Sequence, residues 1–273
     1  MNSRLRVGKA GRLDAWIGME DVALVNRSQV TLSSLVALSS ESRRCQKRCL
    51  RELEMNSSQL AQMIDHTRLA PDTTVQDVHI LCEEAVQHGF ASVCIPPCYV
   101  EEAARMLAEE LPLVCTVVGF PLGGSRSSVK AMEATMAVED GATEIDMVMA
   151  IGLFKSGAYK SVTKDIQTVV QACENGALVK VILECVLLTE QEKRIACLLA
   201  RDAGAAYVKT STGFASGGAT EADVSLMRNT VGRDLGIKAA GGIRTGTSAL
   251  AMVRAGADRI GASASLAIIQ EMD

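Results

Sequence analysis

From Ser57 onward the chain alternates eight short apolar, β-forming runs with segments patterned as helices, and this rhythm constrains the fold more than any other feature. The runs fall at 63–69, 91–95, 113–120, 144–150, 178–185, 207–212, 235–240 and 259–263. Between them lie helix-like stretches at 72–88, 98–110, 126–140, 156–175, 189–203, 219–231 and 245–255, with a short terminal one. Punctuation agrees with the division. Pro71-Asp72, Ser125, Ser156 and Thr189-Glu190-Gln191-Glu192 read as helix starts, and Gly89, Gly141, Gly176, Gly204 and Gly256 as stops. Parallel strands need crossover helices, so eight such units predict an α/β chain closing into a single (β/α)8 TIM barrel over 57–273. The alternative is a doubly wound open sheet of about six strands, but no Gly-x-Gly-x-x-Gly follows the first run.

Composition fits a barrel packed with small aliphatic side chains: 48% of the chain is hydrophobic, 3% is aromatic and 22 residues are glycine. No apolar run approaches the ~18–20 residues of a membrane span, and the N-terminus lacks a signal-peptide pattern, so the expectation is a cytoplasmic protein without a membrane partner. Nine cysteines, an odd number scattered through apolar runs, read as reduced, mostly buried thiols rather than a disulfide framework. Metal binding is not expected, because Cys94-Ile95-Pro96-Pro97-Cys98 lacks a finger's spacing and His66, His79 and His88 form no ligand pattern.

Residues 1–56 form an N-terminal extension without the barrel rhythm. They carry 10 basic and 6 acidic residues, whereas the remainder has a net charge of −8, which argues against nucleic acid as a partner. Residues 29–54 could form an amphipathic helix, with Leu32, Leu35, Val36, Leu38, Leu50 and Leu53 on its apolar side. The extension reads as a poorly ordered appendage, a helix docking on the barrel or a neighbouring subunit, or an address or encapsulation peptide.

The chemistry-bearing stretch is Ala206-Tyr207-Val208-Lys209-Thr210-Ser211-Thr212-Gly213-Phe214, which sets a lysine inside an apolar run. Lysine is seldom buried without a partner, and a buried ammonium loses its proton readily, as an amine nucleophile must. Taken alone, Lys209 could equally be a strand-end residue reaching solvent or a salt bridge. A second lysine, Lys238, at the matching place one unit later makes that reading harder to hold.

Strand alternation predicts that Lys209 and Ser211, and Lys238 and Ala240, face inward with Asp65, Thr67, Cys94, Thr116, Phe120, Glu144, Asp146, Lys180 and Glu184. Lys180, early in its run, reads as part of a structural ion pair. Lys209, Lys238 and Asp146 sit late enough to reach the carboxyl ends of the strands, where barrel active sites form. A second ammonium nearby favours the free amine of Lys209, which attacks a carbonyl, and Asp146 is placed for the following proton transfers. The loops holding Thr212-Gly213, Gly241-Gly242 and Ser263 follow three consecutive runs and point to a phosphorylated carbonyl substrate.

Seven segments, in order, resemble the deoxyribose-phosphate aldolase family: Ile64-Asp65-His66-Thr67, Val93-Cys94-Ile95-Pro96, Val117-Val118-Gly119-Phe120-Pro121-Leu122-Gly123, Glu144-Ile145-Asp146-Met147-Val148, Lys180-Val181-Ile182-Leu183-Glu184, Val208-Lys209-Thr210-Ser211-Thr212-Gly213 and Lys238-Ala239-Ala240-Gly241-Gly242-Ile243-Arg244. The resemblance runs over 58–270. It implies a class I aldolase that cleaves 2-deoxy-D-ribose 5-phosphate reversibly to D-glyceraldehyde 3-phosphate and acetaldehyde, with no cofactor beyond a Schiff base on Lys209. By position Lys238 matches the family's second, tuning lysine and Asp146 its acid/base carboxylate. Asp65, Leu69, Cys94 and Phe120 match pocket-lining residues, and a homo-oligomer such as a dimer is the expected assembly. The chain departs from the family at Gly261-Ala262-Ser263-Ala264-Ser265, where adjacent serines are common, and it ends without a tyrosine. Another lysine-dependent barrel aldolase or transaldolase, or a silent barrel serving as a binding subunit, would share parts of this pattern.

Overall fold

The computed structural model describes residues 55–174 and 176–273. The amphipathic stretch expected at 29–54 lies outside the described residues. At Asn56 a capping box with Gln59 starts α1 (Ser57–Ala61). The strands then follow as β1 (Ile64–Thr67), β2 (Ser92–Ile95), β3 (Leu113–Val118), β4 (Glu144–Val148), β5 (Leu178–Ile182), β6 (Tyr207–Lys209), β7 (Gly236–Ala240) and β8 (Arg259–Ala262). All eight pair in parallel and in chain order, with β8 closing on β1, so the sheet has no free edge.

Helices cover the outside of the barrel: α2 (Val75–His88), α3 (Val100–Met106), α4 (Ser127–Glu139), α5 (Ile151–Lys155), α6 (Tyr159–Cys173), α7 (Glu190–Asp202), α8 (Glu221–Val231), α9 (Gly246–Ala255) and α10 (Ser265–Gln270). Outward strand residues such as Ile145, Met147, Val181, Val208 and Ile237 are buried against apolar helix faces, including Val162, Ile166 and Val169 of α6. Each such aliphatic side chain stabilises the shell by ~1.5–3 kcal/mol on burial. Among the described residues no helix is long and apolar enough to cross a membrane.

The expected strands are all present, and six of the eight end earlier than their apolar runs do. The fifth run continues past Ile182 into Glu184, whose φ of 46° leaves the strand conformation. Two helix starts also move. Pro71-Asp72 forms a turn, and α2 is capped instead by Thr74, whose side chain exchanges hydrogen bonds with Asp77. Ser156 ends a short helix rather than beginning one, because its hydroxyl donates back to Gly152 O at 2.8 Å.

One inward assignment is wrong. Thr116 belongs to the outward set, its hydroxyl donating to Ile95 O at 2.8 Å. The register Cys115↔Glu144 and Val117↔Asp146 makes Cys115 and Val117 the inward residues of β3, because laterally paired strand residues share a face.

The loops at the carboxyl end are fastened to one another. Ala219 N donates to Gly241 O at 2.9 Å, bringing the loops after β6 and β7 so close that a Cβ on Gly218 would lie 2.3 Å from that carbonyl oxygen. Only glycine fits at 218.

Candidate active site

Four cations and three carboxylates fill the barrel interior. Lys209 ends β6 and is in register with Lys238 of β7. Both ammonium groups donate to the same Asp146 oxygen, Oδ2, each at 2.7 Å. The other oxygen, Oδ1, accepts from Lys180 at 3.0 Å and from the Cys115 thiol at 3.3 Å. Lys180 also donates to Glu144 at 2.6 Å. Lys238 lies 2.5 Å from Asp65 Oδ2, a charge contact without hydrogen-bond alignment. Arg259 closes the floor, donating to Asp65 Oδ1 at 2.8 Å and to both Glu144 oxygens at 3.0 Å.

Every charged group here pays the desolvation penalty of burial, and the opposite charges decide the outcome. Burial pushes the Asp146 carboxyl up, but Lys180, Lys209 and Lys238 together hold it well below the ordinary range. Asp65 is likewise lowered, with Lys238, Lys180 and Arg259 outweighing burial. Burial pulls Lys238 down, and Asp146 and Asp65 reverse this to leave it well above the ordinary lysine value. Lys180 is raised in the same way, chiefly by Asp146. Asp65 and Asp146 therefore stay ionised and Lys238 stays cationic. By formal count the set holds four basic side chains, Lys180, Lys209, Lys238 and Arg259, against three acidic ones, Asp65, Glu144 and Asp146.

A cavity of about 560 Å³ opens above this floor. Of the clustered lysines, Lys209 alone reaches its wall; Lys238 and Lys180 are fully buried beneath. Leu69, Thr212, Gly213, Gly241, Gly242 and Ser263 line the cavity, so all three expected anion loops meet around one space with the lysine. Phe120 packs with Leu69 beside Cys94, Cys115 and Val117, and its ring meets Phe214 edge-on with centroids 5.2 Å apart. Asp65 and Cys94 lie fully buried under the cavity rather than on its wall.

Strand parity, applied to the eighth run, would have found Arg259, since it is the register partner of Lys238. Phe214, Arg68 and Arg244 also line the cavity. They sit in loops, where alternation gives no direction. Ser265, one of the separated serines, turns away: its hydroxyl is buried 2.9 Å from His66 Nδ1, while His66 Nε2 lies 2.7 Å from Glu84. Burial lowers the His66 pKa against the opposing pull of Glu84, so its ordinary form is neutral.

Two groups of potential metal donors, Cys94–Cys115–Asp146 and Asp65–Cys115–Glu144, each hold their donor atoms within 4.8 Å of one another. Both are laced through with lysine ammonium groups, so a cation there would face Lys180 and its neighbours at contact range. The seven cysteines of the described residues are free thiols.

Residues 59–271 match the family model of the DeoC/LacD family aldolases, a span containing every strand of the barrel. The chain belongs to the DeoC/LacD aldolase family. Among its relatives, deoxyribose-phosphate aldolase 1 of Bacillus licheniformis is 53% identical over 214 residues, covering 78% of this chain and 96% of the relative. The deoxyribose-phosphate aldolase of Halalkalibacterium halodurans is 56% identical over the same shares. A solved structure, the tetrameric deoxyribose phosphate aldolase of Aeropyrum pernix, superposes with a TM-score of 0.76 at 34% identity, covering 85% of this chain and 97% of that one. For this DeoC/LacD chain the match begins inside α1, so the family likeness and the barrel start together.

Proposed function

We propose that this chain is a deoxyribose-phosphate aldolase, a carbon–carbon lyase that cleaves 2-deoxy-D-ribose 5-phosphate reversibly through a Schiff base on Lys209. One observation carries the residue assignment: two lysines share a single Asp146 oxygen, and only Lys209 faces the cavity. The interior holds one cation more than it has carboxylates, so losing one proton makes the cluster neutral. The amine on the cavity wall is the one that can pass that proton to solvent or substrate.

The free amine adds to the C1 carbonyl of the open-chain sugar, and the carbinolamine loses water to give an iminium. Removal of the C3 hydroxyl proton then breaks the C2–C3 bond. Glyceraldehyde 3-phosphate leaves, and the electron pair moves into the iminium to form an enamine. Protonation at C2 and addition of water release acetaldehyde and restore Lys209. Asp146, 2.7 Å from Lys209 Nζ, is the group placed to relay these protons. Lys238 keeps the Asp146 charge shared, so that Lys209 is not locked to it as an ammonium. Asp65 and Cys94 support the floor, Leu69 and Phe214 give the cavity its apolar wall, and Phe120 backs Phe214 from behind it. The loops at Thr212-Gly213, Gly241-Gly242 and Ser263 supply the phosphate end.

An iminium is itself the electron sink, so the reaction asks for no Lewis acid and no cofactor. Free thiols, six of the seven described ones buried, support a cytoplasmic placement. A homo-oligomer, with a dimer as the simplest case, is supported by a stripe on α4 where Val129, Met132 and Met136 are 47%, 61% and 55% exposed.

The test is borohydride reduction in the presence of acetaldehyde, followed by peptide mapping. A single reduced adduct at Lys209, lost in Lys209→Ala and unaffected by exhaustive chelation, is the expected result. Labelling at Lys238 or Lys180 would overturn the assignment.

A further inference from the structure

Glu184 combines three unfavourable features in one residue. Among the described residues it is the one non-glycine with a left-handed backbone, φ 46° and ψ 68°. Its side chain is buried at 3% exposure. Its Oε1 has no hydrogen-bond partner among the described residues.

Barrel closure does not require this residue. The links beside it are made by backbone on either side, Leu183 N donating to Lys209 O at 3.0 Å and Cys185 N to Thr210 O at 2.8 Å. Glycine would relax the backbone at 184, and an apolar side chain would avoid the burial of a carboxylate.

What Glu184 holds is the loop that follows Lys209. Its Oε2 accepts from the Thr212 hydroxyl in a short hydrogen bond and from Thr212 N at 3.3 Å. The same Thr212 oxygen accepts from Phe214 N at 3.1 Å. The flanking N–H groups of this turn are thereby consumed. The N–H of Gly213, between them, has no acceptor among the described residues, and Gly213 lines the cavity with Lys209. A turn fixed this way presents one backbone donor to a ligand, as anion-binding loops do.

We propose that Glu184 is a positioning residue for phosphate recognition: by clamping Thr212 it fixes the 212–214 turn so that the Gly213 N–H meets the phosphate of the substrate. The inference rests on the reading of this cavity as a sugar-phosphate site. Glu184 takes no part in bond making, and Lys209 chemistry does not depend on it.

The experiment compares Glu184→Ala, Glu184→Gln and Thr212→Val with the wild type in the full chain. Three readouts are taken: KM and kcat on 2-deoxyribose 5-phosphate, kcat/KM on unphosphorylated 2-deoxyribose, and borohydride trapping with acetaldehyde. Glu184→Ala and Thr212→Val should each raise KM for the phosphorylated sugar about tenfold, as expected for one lost hydrogen bond to a charged group. Glu184→Ala should keep acetaldehyde trapping and activity on deoxyribose within about twofold, because those readouts involve no phosphate. Glu184→Gln retains an oxygen for Thr212 and should stay within about threefold of wild type. Should Glu184→Ala fail to fold, Thr212→Val reads the same clamp from its other side. Equal losses on the phosphorylated and unphosphorylated sugars, or no change in any readout, would overturn the inference. A wild type that neither traps acetaldehyde nor turns over the sugar phosphate would sink the aldolase reading itself, and this inference with it.

Discussion

Lys209 and Lys238 stand side by side in register on adjacent strands and meet at one atom, each 2.7 Å from Asp146 Oδ2. One carboxylate oxygen thus divides its attraction between two ammonium groups, which also repel each other. The arrangement couples the charge on one lysine to the proton on the other.

Replacing Lys238 by Leu removes both the repulsion and the competition for Asp146. The ammonium form of Lys209 is then favoured, and the rise in trapping rate with pH should move to higher pH. Each pH unit of displacement corresponds to about 1.4 kcal/mol. Lys238→Arg keeps the charge and should show a smaller displacement. Stopped-flow trapping across the alkaline range measures both, and an unmoved profile in Lys238→Leu would reassign Lys238 to proton transfer.

Asp146→Asn leaves Lys180, Lys209 and Lys238 facing a neutral amide. Loss of one partner from a buried ion cluster costs about 3–5 kcal/mol, so the melting temperature should fall. Activity should fall further, by about 10²-fold or more, since the relay for proton transfer goes with the charge. Turnover retained in a folded Asp146→Asn variant would remove Asp146 from the mechanism.

Acid should weaken the barrel floor. Asp65 and Asp146 are both lowered from an ordinary carboxyl value of 3.8, so their contribution to stability is fully present above that value. It is lost as pH falls below it toward the folded-state values. Thermal melts from pH 6 to pH 2 should show a decline concentrated below about pH 4, shallower in Asp65→Asn. Lys180 and Lys238, raised above 10.5, contribute stability below that value and lose it only as pH rises past it toward their folded-state values.

A chain beginning at Met55 should fold and keep most of its turnover, because the capping box at Asn56 and the β1–β8 pairing lie wholly within it. Circular dichroism and steady-state rates on the shortened chain check this. Insolubility or a lost assembly would show that residues 1–54 pack on the barrel or on a neighbouring subunit.

The eight strand-helix units are legible in the chain alone, because buried parallel strands leave apolar runs and helix ends leave caps and glycines at fixed offsets, whereas closure rests on the pairing of β8 with β1. The sequence also placed Lys209, Lys238 and Asp146 on one inner face, since alternation along a strand is a local property. Alternation fixes direction only within one strand and only while the strand lasts. Alternation misplaces Thr116, because the register of β3 against β4 is set by pairing across the sheet, and it gives no direction at Glu184, whose backbone leaves the strand. Only the tertiary structure decided that both lysines meet one oxygen of Asp146, that Lys180 holds the other, and that Arg259 closes the floor. Those contacts join residues up to 194 positions apart, and their distances depend on how eight strands stagger around a closed barrel.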